Sequence, residues 1–164
     1  MNDLAVRPFA EGDWPEVLAI IDDVVREGET YAHPSPLSPE QARALWVESP
    51  PGLTVVAVQD GRIVGTAKMG PNRPGRGDHI GTASFMVAAD ARGSGVGRRL
   101  AEWVIDWHRR AGFAGIQFNA VVASNDAAVR LWTSLGFEII GTVPGAFRSR
   151  RHGRVGLHVM FLPL

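Results

Sequence analysis

The chain contains no cysteine among its 164 residues. A chain without thiols forms no disulfide, has no thiolate nucleophile and offers no cysteine ligand to a metal. Any thiol that takes part in its chemistry must therefore come from a ligand.

An excess of charge of one sign is also lacking, because 17 lysines and arginines balance 17 aspartates and glutamates. No global field therefore attracts nucleic acid or an anionic membrane. No apolar run approaches the length of a membrane span. The first residues, 1–4, lack the basic region and apolar core of a secretory signal. We expect a cytoplasmic protein with neither a nucleic-acid nor a membrane partner.

Metal-binding patterns are missing as well. The five histidines do not fall in H-x₃-H or H-E-x-x-H arrangements, so we expect no metal. The remaining composition is ordinary, with 45% hydrophobic and 21% charged residues. Length and composition together predict one globular domain over residues 1–164.

One stretch combines a strand, a glycine-rich turn and a helix. The apolar run 79–87 predicts the strand, and glycines follow at positions 93, 95 and 97. One helix face is then indicated by Val96, Leu100, Trp103 and Trp107. The first N–H groups of a helix have no partner within it, and its dipole places partial positive charge there. The turn therefore suits a phosphate group, beside Arg92, Arg98 and Arg99; a tight turn without a ligand is the alternative.

Two common nucleotide patterns are not met at this turn. The third glycine of G-x-G-x-x-G falls on Arg98 or Leu100, and the Walker pattern is absent. What remains is Arg92-x-x-Gly95-x-Gly97, which resembles the R/Q-x-x-G-x-G/A signature of the GNAT (GCN5-related) acetyltransferases. The stretch 125–137 is similar to their second signature, N-x-x-A…L-Y-x-x-L-G-F. The resemblance covers the chain from about Leu53 to its end.

Three further stretches, 75–80, 118–122 and 141–148, resemble a subgroup of small GNAT enzymes. That subgroup includes fungal relatives that acetylate proline-like ring amines.

The fold follows from strand and helix patterns along the chain. We predict strands at 4–9, 53–58, 62–69, 80–87, 115–122, 137–143 and 154–161. Helices are predicted after a cap at Gly12 or Asp13, from Pro39 to about Val47, and over 96–110 and 126–135. This order indicates an α/β fold, a single GNAT-like domain. Its central sheet is mixed, mostly antiparallel and twisted, with about six to seven strands and about four helices.

The resemblance implies acetyl-CoA as the cosubstrate. Its pantetheine arm would lie along the backbone of Met86 and Val87 like an added β-strand. Its pyrophosphate would be held by the turn formed by Arg92, Gly93, Ser94, Gly95, Val96, Gly97 and Arg98. Asn125 matches the family asparagine that contacts the cofactor arm, and it also suits a helix N-cap. Both roles of Asn125 can coexist.

The usual acid and base of the family are missing. Trp132 replaces the tyrosine often proposed as general acid, and an indole N–H does not ionise usefully. Residues 82–84 stand where many members have a glutamate base.

Three routes to deprotonation therefore stay open. Water could relay the proton to His79, Asp78 or Glu29. Asn119 could orient the acceptor or polarise the carbonyl, although a strand-end asparagine also bonds to backbone. The amine could also arrive neutral and need only positioning.

The proline-stiffened connection 28–39 commonly overhangs the acceptor site in GNAT proteins. Glu29, Tyr31 and His33 are therefore candidates to contact the substrate, or else solvated loop residues. The basic run 148–154 could pair with an acidic acceptor, touch nucleic acid, or form a solvated turn. Neutral charge and the lack of interleaved aromatics disfavour nucleic acid.

The sequence thus predicts an N-acetyltransferase that transfers an acetyl group to a small primary or cyclic secondary amine by direct attack on the thioester. One alternative is a protein N-terminal or lysine acetyltransferase, which requires an open groove. Another is a non-catalytic acyl-CoA sensor, motivated by the missing tyrosine and glutamate. The resemblance also implies a homodimer.

Overall fold

The computed structural model describes residues 3–164, and Met1 and Asn2 of the predicted domain lie outside this range. Within it, seven strands form one sheet flanked by four α-helices, which confirms the predicted fold class. The strands are β1 Ala5–Pro8, β2 Leu53–Gln59, β3 Arg62–Pro71, β4 Ile80–Val87, β5 Gly115–Val122, β6 Glu138–Ser149 and β7 Gly153–Pro163. The helices are α1 Trp14–Glu27, α2 Pro39–Trp46, α3 Val96–Arg110 and α4 Asp126–Ser134.

The sheet has the strand order β1-β2-β3-β4-β5-β7-β6. Neighbouring strands run antiparallel except β4 and β5, which are parallel. That parallel ladder is only two pairs long, Ile80 with Gly115 and Gly81 with Ile116. Beyond it the two strands separate, and the sheet opens in the middle.

Local sequence explains most element boundaries. Ser38 and Gln41 form a reciprocal capping box at the start of α2, with Pro39 at the first helical position. Asp60 and Gly61 both adopt positive φ, 51° and 75°, as the tight turn between β2 and β3 requires. Gly28 ends α1 in the left-handed conformation, φ 67°.

The last hairpin is longer than predicted. β6 continues past Val143 to Ser149, because a register shift between Val143 and Phe147 lets the strand resume its pairing with β7. Pro144 and Gly145, which argue for a strand end by sequence, lie within that irregularity.

The core lies on both faces of the sheet. Alternate residues of β2 divide between them, with Val56 packing in the cluster of α1 and α2 and Val55 in the cluster of α3. A third cluster joins β5, β7 and α4 around Phe118, Trp132 and Phe137. None of the helices in residues 3–164 is long and apolar enough to cross a membrane.

His108 on α3 is fully buried beneath β4. Its Nδ1 donates a hydrogen bond to the carbonyl of Val104, 2.8 Å away, whereas Nε2 has no hydrogen-bond partner in the structure. A Cβ atom at Gly81 would lie 2.2 Å from the imidazole, so only glycine allows this strand to approach the ring. Burial lowers the pKa of His108 below its ordinary value.

This burial predicts a loss of stability in mild acid. Below pH about 6.5 the unfolded chain takes up a proton at His108, whereas the folded chain does not readily do so. The free energy of unfolding therefore decreases as the pH is lowered. His108→Gln should remove part of the slope between pH 7.5 and 5.5, as measured by urea denaturation. Asp13, whose pKa is lowered by its hydrogen bond from Arg7, contributes only below pH about 4. A wild-type stability that is flat across this window would contradict the assignment.

Candidate active site

A cleft of about 610 Å³ lies where β4 and β5 separate. It runs from the turn before α3, at Arg92 and Gly93, to the α1–α2 connection at Tyr31 and His33. α4 forms one wall through Leu131. The volume is typical of small-molecule sites.

The pairing of β4 with β3 decides which main-chain groups face this cleft. Ile80 accepts a hydrogen bond from the Asn72 N–H at 2.8 Å, and the Ala88 N–H donates to Val64 at 2.9 Å. Because bonded and non-bonded pairs alternate in an antiparallel ladder, the even-numbered residues of β4 bond to β3. The odd-numbered residues, Ala83, Phe85 and Val87, turn their N–H and C=O groups towards the gap.

This register changes one sequence prediction. Val87 faces the cleft with its main chain, as expected, but the main chain of Met86 bonds to β3 and its side chain is buried against α1. The open polar groups next to Val87 are those of Phe85, which sequence reasoning did not identify.

Tyr31 occupies the open main-chain groups of Phe85. Its hydroxyl donates to the Phe85 carbonyl at 2.7 Å and accepts from the Phe85 N–H at 2.8 Å. It is the only tyrosine in the chain. Burial raises the pKa of Tyr31 to about 12, so the phenol stays protonated at physiological pH.

The glycine-rich turn delivers the end of α3 to the other end of the cleft. Gly93 and Gly95 adopt φ values of +75° and +91°, which L side chains rarely adopt. The Ser94 hydroxyl donates to the Ala91 carbonyl at 2.6 Å and closes the turn, and Val96 anchors it in the core. A Cβ atom at Gly93 would meet nothing within 4 Å, so open space lies against this backbone.

Two of the three arginines predicted beside the turn are held by protein partners. Arg92 donates to Glu27 at the end of α1 at 3.0 Å, and its Nε lies 3.4 Å from the Val87 carbonyl. Arg98 turns away to Ser134, at 2.7 Å, and its guanidinium does not line the cleft. The main-chain N–H groups of 96–98, at the first turn of α3, are those that a helix leaves unpaired.

Asn125 and Trp132 lie on α4. The Asn125 side chain caps the helix by accepting from the Ala128 N–H at 3.3 Å, and the residue also lines the cleft, so its two predicted roles are compatible. The buried Trp132 packs with its ring centroid 4.8 Å from those of Phe85 and Phe118. This side chain holds the two diverging strands to α4, and nothing in its setting suggests proton transfer.

A second cavity, of about 690 Å³, adjoins the first. The two share the residues Lys68, Thr82, Ala83, Ser84 and Asn119. Asn119 lies at this junction, where its amide forms a pair with Asn72 (Nδ2 to Oδ1, 2.7 Å) and accepts from Gln117 at 2.9 Å. Asn119 therefore lies at the boundary of both cavities, in a hydrogen-bonded amide pair.

The structure does not support two of the predicted catalytic residues. Glu29 does not line the cleft; its carboxylate accepts hydrogen bonds from the Ser149 hydroxyl and the Arg151 N–H. The Ser149 bond and, secondarily, the Arg151 bond lower the pKa of Glu29. His79 is exposed at the closed end of the β4–β5 ladder and lines neither cavity.

The α1–α2 connection does reach the cleft, through Tyr31 and His33. The two rings stack with centroids 5.6 Å apart and an interplanar angle of 4°.

One arginine of the basic hairpin turn has a structural role. Arg150 donates to the Arg26 carbonyl at 2.8 Å and so binds the end of α1. Among residues 3–164, no three histidines or acidic residues are grouped as metal ligands.

Comparison with known proteins identifies the class of this fold and site. Residues 18–137 match the model of the acetyltransferase (GNAT) family. The chain belongs to this family.

Individual relatives agree with this assignment. A GCN5-related N-acetyltransferase from Kribbella flavida shares 55% identity and superposes with a TM-score of 0.96 over 98% of both chains. An L-methionine sulfoximine/L-methionine sulfone acetyltransferase from Pseudomonas aeruginosa is 30% identical over 85% of this chain and 83% of its own length. The N-acetyltransferase aca1 of Schizosaccharomyces pombe is 37% identical over 55% of this chain. The match spans 43% of that fungal protein, less than half of its length.

The cleft has features that suit acetyl-CoA. An extended amide-containing arm could bond to Val87 and Phe85, and a diphosphate could meet the first N–H groups of α3 across the open space at Gly93. The Tyr31 hydroxyl, however, already bonds to the Phe85 N–H and carbonyl that such an arm would use.

Removing the Tyr31 hydroxyl should therefore have opposite effects on stability and ligand binding. Tyr31→Phe leaves Phe85 without partners, which should lower the free energy of unfolding by about 1–3 kcal/mol. The same change removes a competitor, so acetyl-CoA should bind about fivefold more tightly. Denaturation and isothermal titration calorimetry measure the two effects. Weaker acetyl-CoA binding by Tyr31→Phe would show that the hydroxyl assists the ligand instead.

Proposed function

We propose that this protein transfers the acetyl group of acetyl-CoA to the nitrogen of a small primary or cyclic secondary amine. The observation that carries the proposal is the open edge of β4, which leads from the start of α3 directly to a second cavity. A carrier bound along that edge would present its acyl end where the two cavities meet.

The main chain would supply the binding groups. Acetyl-CoA brings an acyl carbon activated as a thioester. The N–H groups at the start of α3 suit its diphosphate, and the Val87 and Phe85 main chain suits the amides of its arm. The Phe85 N–H, released by Tyr31, is placed to donate to the acyl oxygen as negative charge develops there.

The second cavity supports a small acceptor. Its volume of about 690 Å³ falls within the range of small-molecule sites. Asn119 at the junction offers both an N–H donor and a carbonyl acceptor to a polar substrate. The Pseudomonas relative is named for acetylating two amino-acid derivatives, which supports the same class of acceptor.

A panel of amines, read by the release of free thiol from acetyl-CoA, tests the proposal. It should include proline analogues, polyamines, amino acids and peptides. We expect turnover with one or more small amines and none with peptides. Tight binding of acetyl-CoA without turnover by any amine would instead favour a non-catalytic acyl-CoA sensor.

Replacement of Gly95 by alanine tests the phosphate-binding role of the turn. The left-handed φ of +91° disfavours any side chain, so Gly95→Ala should distort the turn and weaken acetyl-CoA binding about tenfold. Gly61→Ala is a matched control, because Gly61 also has a positive φ, +75°, and no neighbour within 4 Å of its built Cβ. Both variants should lose about 1–2 kcal/mol of stability. Equal loss of affinity in the two variants would refute the role of the turn.

We also propose that the protein forms a homodimer through β6. This strand is an edge of the sheet, so its outer main-chain groups are free to pair. It exposes Ile139, Ile140 and Val143 at 45%, 60% and 55%. A second copy of β6 would cover both features at once.

A charge placed on β6 tests the dimer. Ile140→Lys should convert the dimer to a monomer, because a lysine buried in an apolar interface is costly. Leu45→Lys is the control, since Leu45 is an exposed apolar residue on α2, away from β6. Light scattering after gel filtration gives the molar mass. A wild-type mass of one chain at all concentrations would refute the proposal.

A further inference from the structure

The base that deprotonates the acceptor amine is not evident from the sequence. Of the two acidic residues considered for it, Glu29 binds the last hairpin, and Asp78 is exposed on the second cavity. The other carboxylate of that cavity, Glu48, is paired with the Lys68 ammonium at 3.3 Å. The titratable side chains that line the first cavity are Tyr31, His33, Lys68 and Arg92. No carboxylate of the described residues lines it.

We infer that His33 is the general base, a catalytic residue supplied by the α1–α2 connection and aligned by its stacking on Tyr31. This inference rests on the proposed acetyl transfer. Of these four groups, lysine and arginine are cationic, and the Tyr31 phenol donates its proton in a hydrogen bond to the Phe85 carbonyl. The imidazole is the one whose ordinary pKa allows it to accept a proton near neutral pH.

The geometry holds the imidazole next to the open edge of β4. The Tyr31 ring packs edge-on against Trp46, with centroids 6.2 Å apart, and joins the apolar cluster of α1 and α2. Its place at the acyl end of the cleft therefore does not depend on the hydroxyl contacts with Phe85. The His33 ring lies parallel to it at 5.6 Å. Prolines at 34, 36 and 39 restrict the connection that carries both rings.

The surroundings of His33 favour its neutral form. Partial burial lowers the pKa of His33, and the positive charge of Lys68 on β3 lowers it further. The Lys68 ammonium is itself bound by the Leu45 carbonyl and by Glu48, which follows α2, at 3.3 Å. Tyr31, whose ring stacks on His33, is uncharged. An unprotonated imidazole thus awaits the acceptor at neutral pH.

The proton and electron pairs balance in this assignment. The acceptor ammonium gives one proton to His33, and the freed lone pair forms the new C–N bond at the thioester carbon. The C–S bond breaks with its electron pair on sulfur, which takes a second proton from the nitrogen and leaves as a thiol. His33 then returns its proton to solvent.

His33→Gln tests the role in the full-length protein. With an amine that the wild type acetylates, kcat/KM at pH 7 should fall about 100-fold, a typical contribution of a general base. The acidic limb of the pH profile should disappear. The deficit should shrink at high pH, where the amine is already neutral, and acetyl-CoA affinity should not change.

Two further variants distinguish catalysis from structure. His33→Ala should regain activity when imidazole is added, which a purely structural role would not allow. His152→Gln, in the exposed turn before β7, should keep wild-type kcat/KM and the same pH profile. Thermal melting checks that each variant is folded.

The outcomes separate the inference from the proposed function. If the wild type acetylates an amine and His33→Gln remains within threefold of it with the acidic limb intact, His33 is not the base. If Asp78→Asn removes the limb instead, the base lies in the second cavity. If the wild type acetylates no amine, the proposed function itself fails.

Discussion

The separation of β4 from β5 is the constraint on which the rest of the structure depends. Their ladder ends after Gly81 and Ile116, and β5 then continues along β7 with a register shift between Phe118 and Val121. Phe85 and Phe118 diverge on the two strands, and Trp132 from α4 packs against both. Where the two strands no longer share hydrogen bonds, apolar packing against α4 and its Trp132 ring stabilises the opening and keeps the core closed. An open sheet interior carries unpaired main-chain groups, and these are the groups that can bind a ligand.

Leaving such groups without partners costs about 1–3 kcal/mol for each that is shielded from water. The protein meets this cost with side chains that reach in from other elements. Tyr31 satisfies Phe85, and Arg92, which is held by Glu27, contacts the Val87 carbonyl. Both contacts line the cleft proposed for acetyl-CoA. Stability and binding therefore compete for the same atoms, which is why a hydroxyl can matter to both in opposite directions.

Sequence reasoning predicted the fold well, because its signals are local. The glycine turn, the Asp60-Gly61 hairpin and the helix caps each depend on a few adjacent residues. The site was less predictable, because its geometry depends on pairing between distant segments. Whether Met86 or Phe85 faces the cleft follows from the register with β3, and a shift of one residue reverses the answer. Glu29 lies away from the cleft for a similar reason: its partners, Ser149 and Arg151, lie 120 and 122 residues further along the chain.

The tryptophan at position 132 links the architecture to the chemistry. Related sequences are expected to have an ionisable ring at this position. This chain has a buried indole there, which packs against the opened sheet. The only phenol of the chain then comes from the opposite wall, on the connection that also carries His33. A phenol with a pKa of about 12 is a poor proton donor to a thiolate, whose conjugate acid has a pKa near about 8.5, because the transfer is uphill by several pKa units. It is a good hydrogen-bond donor at every physiological pH, however. One short loop thus carries the phenol and the imidazole side by side, with their rings stacked in parallel.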